Sequence, residues 1–159
     1  GSFGECFWVT NRLSKRKRVC KRLPKEDIWI PPEEMPEEFR ILQALDHPHI
    51  VRIFECFESP THYMLILEPA YGGDLKALLA HAQDDTKPHG LQEDLVGLIT
   101  YQTLQALTYI HSRHVVHRDI KPANMLLAKP LDDHPEQLHL LLADFGVAEF
   151  FPQDTKICK

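Results

Sequence analysis

Among the polar side chains of the stretch VVHRDIKPANMLL, residues 115–127, three form a chemically coherent set on one predicted loop, with an apolar anchor on each side. These side chains are Asp119, Lys121 and Asn124, and a second carboxylate, Asp144, ends the next apolar strand. A carboxylate can orient and deprotonate a hydroxyl group, and a lysine can neutralise a transferring phosphoryl group. An asparagine and a second carboxylate are hard oxygen ligands for Mg²⁺. The four side chains are therefore candidates for one shared site.

Both segments resemble motifs of the protein kinase family. H-R-D-x-K-x-x-N occurs at residues 117–124 and D-F-G at residues 144–146. Lys121, two residues after the motif aspartate, is the serine/threonine form. The resemblance implies an α+β, two-lobed kinase-like fold, with a small antiparallel sheet lobe and a truncated helical lobe. It also implies a protein serine/threonine kinase, loosely like the calcium/calmodulin-dependent kinases, that transfers the ATP γ-phosphate to protein hydroxyl groups.

The N-terminal glycines are ambiguous without these motifs, because most glycine-rich turns bind nothing. Given the resemblance, GSFGEC at residues 1–6 is similar to the second half of the family's phosphate-binding loop, with its first glycine absent. V-C-K resembles the family's V-A-I-K and makes Lys21 the nucleotide-binding lysine. Glu38 resembles the helix glutamate that pairs with this lysine, and Glu34 and Glu37 remain alternatives.

The resemblance implies a role for each site residue. Asp119 would accept the proton of the substrate hydroxyl, and Lys121 would lie near the γ-phosphate. Asn124 and Asp144 would bind Mg²⁺. The residues that would bind ATP are Gly1, Gly4, Cys6, Val19, Lys21, Glu38, Glu68, Ala70, Asp74 and Leu126.

Within this ATP site, the backbone N–H groups of the two glycines would cover the phosphates, and the lysine–glutamate pair would hold the α- and β-phosphates. The hinge backbone at residues 68–70 would bind adenine, with Asp74 near the ribose. The adenine ring would lie between Cys6, Val19 and Leu126.

Hydrophobic periodicity and turn residues predict the order of the elements. Strands are predicted at 5–11, 18–23, 50–58, 63–67, 125–128 and 138–143. Helices are predicted at 37–45, from the glycine break YGGDL to about residue 81, and at 91–113. The last helix is expected to bury its leucine, isoleucine and tyrosine side chains, including Leu104. We divide the chain into residues 1–70, the sheet lobe and hinge, and residues 71–159, a partial helical lobe that ends in the activation segment.

The composition is that of a globular domain. The chain has 159 residues, 43% of them hydrophobic, and a formal net charge of −5, which indicates no general attraction to nucleic acid or anionic membranes. No apolar run approaches the roughly 18 residues of a membrane span. Four cysteines without C-x-x-C spacing favour a reducing, cytoplasmic location and argue against zinc. Zinc at His111, His114 and His117 is disfavoured because the helix ends there.

The expected partners are ATP, Mg²⁺ and protein substrates with serine or threonine acceptors, with any regulatory domain outside this segment. A pseudokinase would have lost Lys21, Asp119, Asn124 or Asp144, and all four are present. Lys121 and the complete H-R-D motif argue against a small-molecule phosphotransferase.

Further interpretations concern the basic cluster, the activation segment and the behaviour of the chain expressed alone. The basic cluster at 15–18, 21 and 22 is a nuclear signal, an anion-binding patch or a solvated hairpin tip. Arg118 would pair with a phosphate added to the activation segment, and Thr155 is either such a phosphosite or a solvated loop residue. The 159 residues expressed alone are expected to be poorly folded and inactive, because the sheet and the long helix would lack partners.

Overall fold

The computed structural model describes residues 4–27, 35–82, 91–131 and 135–151. Predicted features at Gly1, Glu34, Thr155 and most of the loop at 82–90 lie outside these ranges. The described strands are β1 (Glu5–Thr10), β2 (Lys17–Pro24), β3 (Ile53–Glu58), β4 (His62–Leu67), β5 (Val115–Val116), β6 (Met125–Leu127), β7 (Leu140–Leu142) and β8 (Glu149–Phe150). The described α-helices are α1 (Glu37–Ala44), α2 (Leu75–Ala82) and α3 (Glu93–Ser112). None of these helices is both long and apolar enough to cross a membrane.

The predicted hairpin at the start of the chain is present. Strands β1 and β2 pair antiparallel, with Cys6 opposite Lys21 and Trp8 opposite Val19. Side chains opposite each other in a sheet point to the same face, and every second residue of a strand shares that face. These four side chains therefore lie on one face, which we call the cleft face.

The first four strands form one antiparallel sheet in the order β1–β2–β4–β3. Strand β4 places Leu65 opposite Lys21 and Leu67 opposite Val19, so both leucines lie on the cleft face. Leu65 is 0% exposed, which marks this face as the one that meets the core. The small antiparallel sheet lobe predicted from the sequence is thereby confirmed.

Helix α1 begins directly after Pro36. The Pro36 carbonyl accepts hydrogen bonds from the N–H groups of Phe39 at 2.9 Å and Arg40 at 3.1 Å. Proline is tolerated at a helix start because N–H groups there have no partner within the helix. The helix buries Ile41 and Leu42 in the hydrophobic core, so the proline sets its starting point without preventing its packing.

Helix α3 is close to its predicted length, but its buried face differs from the predicted one. Leu104 is 56% exposed and Tyr101 is 60% exposed, so the prediction that both belong to the core is wrong. Gln102 is buried instead: its Nε2 donates to the Leu138 carbonyl at 2.8 Å, and its Oε1 accepts the Leu140 N–H at 2.7 Å. Two positions along a helix is about 200° of rotation, so burying Gln102 turns Leu104 outward.

Two short antiparallel strand pairs accompany the helices. Strands β6 and β7 pair antiparallel, with Met125 opposite Leu142, as the two predicted apolar strands suggested. Strands β5 and β8 also pair, with Val115 opposite Phe150. No sequence pattern indicates this second pair, because two residues are too few to show a period.

The main hydrophobic cluster joins the sheet to the helical part of the chain. It includes Ile41 of α1, Leu65 of β4, Ile110 of α3 and Phe145 of the segment after β7. A second cluster, which includes Leu140, lies among α2, α3 and the β6–β7 hairpin. The sheet therefore packs on the helices through continuous apolar contact, and this packing fixes the loops that emerge between them.

Ile110→Ala should destabilise the protein far more than Leu104→Ala. Ile110 is 0% exposed in the main cluster, whereas Leu104 is 56% exposed on the same helix. Truncating a buried isoleucine costs about 2–5 kcal/mol, whereas an exposed substitution usually stays within about 0.5 kcal/mol. Thermal unfolding of the intact protein measures the difference, and equal losses for the two variants would contradict the orientation of α3.

Candidate active site

The ammonium group of Lys21 is buried between two carboxylates from different elements. Its Nζ donates to both oxygens of Glu38 at 2.8 Å and to Asp144 Oδ1 at 2.7 Å. Lys21 and Glu38 are each 6% exposed. Of the two described candidates for the pairing acid, Glu38 therefore makes the contact, while Glu37 lies on the surface and pairs with Arg40 at 3.1 Å.

This buried group contains one cation and two carboxylates. Burial alone would lower the pKa of Lys21, but the attraction of Glu38 and Asp144 outweighs it and places that pKa above its usual value. Burial raises the pKa of Glu38, Lys21 offsets only part of this rise, and the negative charge of Asp144 adds to it. The group retains an excess of negative charge, which a cation bound beside Asp144 would neutralise.

Asp144 reaches Lys21 through an unusual backbone conformation. Its φ is +61°, in the left-handed region that residues other than glycine rarely adopt. The next residue, Phe145, is fully buried, and its ring lies edge-on to that of His117, with 4.6 Å between centroids. Leu42 belongs to the same cluster as Phe145, and Ile53 packs against it. The main core thus anchors the segment that carries Asp144.

A second charged group lies on the loop between β5 and β6. Lys121 Nζ donates to Asp119 Oδ2 at 2.6 Å, and Asn124 Nδ2 donates to the same oxygen and to the Asp119 carbonyl, each at 2.9 Å. These bonds lower the pKa of Asp119, with the Lys121 hydrogen bond as the largest cause. Asp119 is therefore ionised at neutral pH and held in one orientation.

His117 connects the two charged groups. Its Nε2 bonds to the Ala143 carbonyl at 3.0 Å, one residue before Asp144, and its Nδ1 accepts the Asp119 N–H at 3.3 Å. Both bonds require a neutral ring with the proton on Nε2, and burial lowers the pKa of His117 in keeping with this state. The Ala143 N–H also donates to the Asn124 carbonyl at 2.9 Å. The two loops are therefore fixed to each other.

Asn124 and Asp144 fit the donor set expected for Mg²⁺. Asn124 uses its amide nitrogen toward Asp119, so its Oδ1 can serve as a ligand, and Asp144 uses one carboxylate oxygen for Lys21. Mg²⁺ is commonly held by one or two side chains together with phosphate oxygens and water.

No group of three or more His, Cys, Asp or Glu side chains suited to a metal occurs in the described ranges. Both ring nitrogens of His117 are already engaged.

The hinge after β4 presents backbone groups that are available for a ligand. In the described part of the chain, no group hydrogen-bonds with the Glu68 carbonyl or the Ala70 N–H, whereas the Glu68 N–H donates to the Arg52 carbonyl at 2.8 Å. Pro69, between them, has no N–H. An acceptor and a donor so close together match the edge of adenine, which offers an amino group beside a ring nitrogen.

The other residues predicted to bind ATP surround the cleft face. Gly4 has φ +119°, and a Cβ there would lie 2.4 Å from the Arg22 carbonyl oxygen, so only glycine fits. Cys6 and Val19 lie on the cleft face of β1 and β2. Val19 and Leu126 both pack against the main core cluster, the first from the sheet and the second from β6.

Asp74 has a structural role that is separate from its predicted place near the ribose. Its Oδ1 accepts the Ala77 N–H at 2.7 Å and so caps the start of α2, a position that aspartate favours. Asp74 also forms a backbone bridge with Leu126. A contact of Asp74 with ribose remains a prediction.

Two contacts near the site follow from no motif. Arg118 Nε donates to the Val147 carbonyl at 2.6 Å, and its guanidinium pairs with Glu149 at 2.6 Å, so an added phosphate would compete with Glu149 for this arginine. Trp8 stacks on Tyr71, with 5.4 Å between ring centroids and 22° between planes. Glu149, an acidic residue soon after D-F-G, was a usable sequence signal for the Arg118 contact. No local sequence feature predicts that Trp8 of β1 stacks on Tyr71, directly after the hinge.

Comparison with known proteins gives the family. The model of the protein kinase domain matches residues 1–159. The chain therefore belongs to the protein kinase family, whose members generally use ATP and Mg²⁺.

Three relatives illustrate the similarity. A probable myosin light chain kinase of Dictyostelium discoideum is 34% identical over 155 residues, which covers 98% of this chain and 45% of the relative. Calcium-dependent protein kinase 6 of Plasmodium berghei is 32% identical over 159 residues, which covers 100% of this chain and 10% of the relative. A meiosis-specific serine/threonine-protein kinase of Saccharomyces cerevisiae is 33% identical over 153 residues, which covers 94% and 29%. The chain spans less than half the length of each.

Glu38→Gln should weaken the binding of a fluorescent ATP analogue with Mg²⁺, whereas Glu37→Gln should not. Losing one partner of a buried ion pair is costly, and we expect at least about tenfold weaker binding, because Asp144 retains only part of the contact. Glu37 pairs on the surface, where an ion pair contributes little. Fluorescence titration of the intact protein measures both affinities, and equal effects would show that Glu38 is not the pairing acid.

Proposed function

We propose that this chain is the nucleotide-binding and catalytic part of a protein serine/threonine kinase, which transfers the γ-phosphate of ATP to serine or threonine hydroxyls of protein substrates. The observation that carries the proposal is the connection through His117 between the ionised Asp119 and the group of Lys21, Glu38 and Asp144. The charged residues that phosphoryl transfer requires thus belong to one connected structure.

Asp119 is the proposed catalytic base. Its hydrogen bonds to Lys121 and Asn124 keep the carboxylate ionised and oriented, so it can align the substrate hydroxyl and accept its proton. Phosphoryl transfer passes through a loose transition state, in which positioning and charge stabilisation matter more than the strength of the base. A low pKa at Asp119 is compatible with this role, and Lys121 would neutralise charge on the transferring group.

The nucleotide would lie between the cleft face and β6. Lys21, held by Glu38, would contact the α- and β-phosphates, and the backbone at Gly4 and Gly1 would cover them. Mg²⁺, when bound, would neutralise charge that develops on the phosphate oxygens, and Asn124 and Asp144 would hold it.

The adenine end of the site would use backbone groups and apolar side chains. The Glu68 carbonyl and Ala70 N–H would bind the edge of the ring. Its two faces would contact Cys6, Val19 and Leu126. In this arrangement residues 1–70 act as the sheet lobe and hinge, and residues 71–159 supply the helical part with the catalytic loop.

Two observations support serine and threonine as the acceptor residues. Lys121, two residues after Asp119, is the serine/threonine form of the motif, and it contacts Asp119 directly. The relatives named as serine/threonine kinases match nearly the whole chain. The identity of the protein substrates would be set by surfaces of the complete protein.

Asp119→Asn in the complete protein should lower kcat by about 10²–10⁴-fold, because the amide cannot accept the proton of the acceptor hydroxyl. The KM for ATP should change little, because Asp119 contacts neither Lys21 nor the hinge. Asp94→Asn, an exposed position in the first turn of α3, is the matched control and should leave both constants unchanged. Steady-state kinetics with a serine-containing peptide measures these values. A near-normal kcat for Asp119→Asn would sink the assignment.

A further inference from the structure

The sheet face opposite Lys21 carries an apolar groove that is open to solvent. The groove has a volume of about 540 Å³ and is lined by side chains from all four strands of the sheet. Its three phenylalanines, Phe7, Phe54 and Phe57, are 42%, 41% and 50% exposed. Exposed aromatic side chains gathered in one concave surface are a common mark of an interaction site. We call this surface the outer groove.

A β-bulge gives the groove one of its aromatic rings. Strand β3 pairs Ile53 with Leu67 and then Glu55 with Ile66, so that Phe54 is an extra residue in the register. Regular alternation would turn consecutive side chains to opposite faces, but here Phe54 and Glu55 both line the outer groove. Bulges re-aim side chains in this way and are frequent beside functional sites.

The rim of the outer groove is mainly basic. The Arg18 guanidinium lies 3.9 Å from the centre of the Phe54 ring, and Arg12 lines the same groove. The exposed residues 15–17, Lys-Arg-Lys, extend this charge along the hairpin turn. None of these five cations pairs with a carboxylate in the described part of the chain. Glu55 is the one acidic residue among the described residues that line the groove, although the chain as a whole has a net charge of −5.

The turn that carries part of this charge is preorganised. Asn11 Oδ1 accepts hydrogen bonds from the N–H groups of Leu13 at 3.0 Å and Ser14 at 2.8 Å. The Asn11 N–H donates to the Arg16 carbonyl at 2.9 Å. A rim whose backbone is already fixed loses little conformational entropy when a ligand binds.

We propose that the outer groove docks a short acidic segment of a partner protein. Aromatic or leucine side chains of the segment would contact Phe7, Phe54 and Phe57, and its carboxylates would meet the basic rim. The groove is within the range of about 300–1,000 Å³ that is typical of ligand pockets, which suits a short segment better than the roughly 800 Å² face of a globular partner. The phenylalanines lie in a concavity, whereas insertion into a bilayer requires apolar side chains that protrude.

Docking there leaves the candidate active site open. Lys21 points to the cleft face. Arg18 and Arg22 lie an odd number of positions from Lys21 on the same strand, so their side chains point to the opposite face. The proposal therefore does not depend on the proposed function, and a cooperative thermal unfolding transition serves as an independent check that a variant is folded.

The test measures binding of a fluorescein-labelled peptide, EEFEELFEE, to the intact protein by fluorescence polarisation. We expect saturable binding with a Kd on the order of 100 µM or tighter at low salt, weakened by added salt. One control peptide has alanine in place of phenylalanine and leucine, and a second has lysine in place of glutamate. Both should bind at least about tenfold more weakly, because each lacks one of the two complementary features.

Variants locate the peptide on the protein. Phe54→Ala and Arg18→Gln should each weaken binding at least about fivefold. Leu13→Ala is the matched control, because Leu13 is 94% exposed at the hairpin tip and does not line the groove. All three variants should unfold cooperatively, close to the wild-type transition temperature. If Phe54→Ala loses this cooperative transition, Phe57→Ala takes its place as the groove variant.

Several outcomes would overturn the proposal. It is wrong if the peptide does not bind saturably, if the alanine peptide binds equally well, or if the groove variants bind like wild type. The last experiment measures binding of the protein to vesicles that contain phosphatidylserine. Binding to these vesicles that is lost in Phe54→Ala, together with no binding of the peptide, would show that the surface recognises lipid.

Discussion

The ammonium group of Lys21 joins three parts of the chain that are distant in sequence. It extends from β2 in the centre of the sheet, donates to the carboxylate of Glu38 on α1, and reaches Asp144 after β7. At this depth, an unpaired charge would be strongly destabilising, so burial of the lysine requires a carboxylate partner, and α1 and the D-F-G segment each supply one. Phe145 and Leu42 also pack in one apolar cluster, which independently holds the D-F-G segment next to α1.

The loop that carries Asp119 is connected to this centre by a histidine that is neutral and buried. Because His117 bonds to Ala143 on one side and Asp119 on the other, movement of the D-F-G segment would disturb the orientation of Asp119. Arg118 adds a second tie, since it reaches Val147 and Glu149 beyond the motif. The proposed base and the proposed metal ligands are therefore positioned together, which is what a reaction controlled by positioning and charge requires.

The site was largely predictable from the sequence, whereas several surfaces were not. Asp119, Lys121 and Asn124 stand close together on one loop, so motif spacing fixes most of their geometry. The buried face of α3 was mispredicted because Gln102 finds its partners more than thirty residues away, beyond what apolar periodicity can register. The bulge at Phe54 is invisible in the sequence, since I-F-E-C-F-E reads as an ordinary strand and only its pairing with β4 shows the extra residue.

The central claim is that this arrangement transfers phosphate to protein hydroxyl groups. The most direct measurement incubates the intact protein with ATP labelled at the γ-phosphate, Mg²⁺ and peptides that contain a single serine, threonine or tyrosine. The account predicts Mg²⁺-dependent label on serine or threonine, little on tyrosine, and none with Lys21→Met. Normal binding of Mg–ATP without transfer to any of these peptides or to the protein itself would contradict the account and indicate a protein that binds the nucleotide without using it.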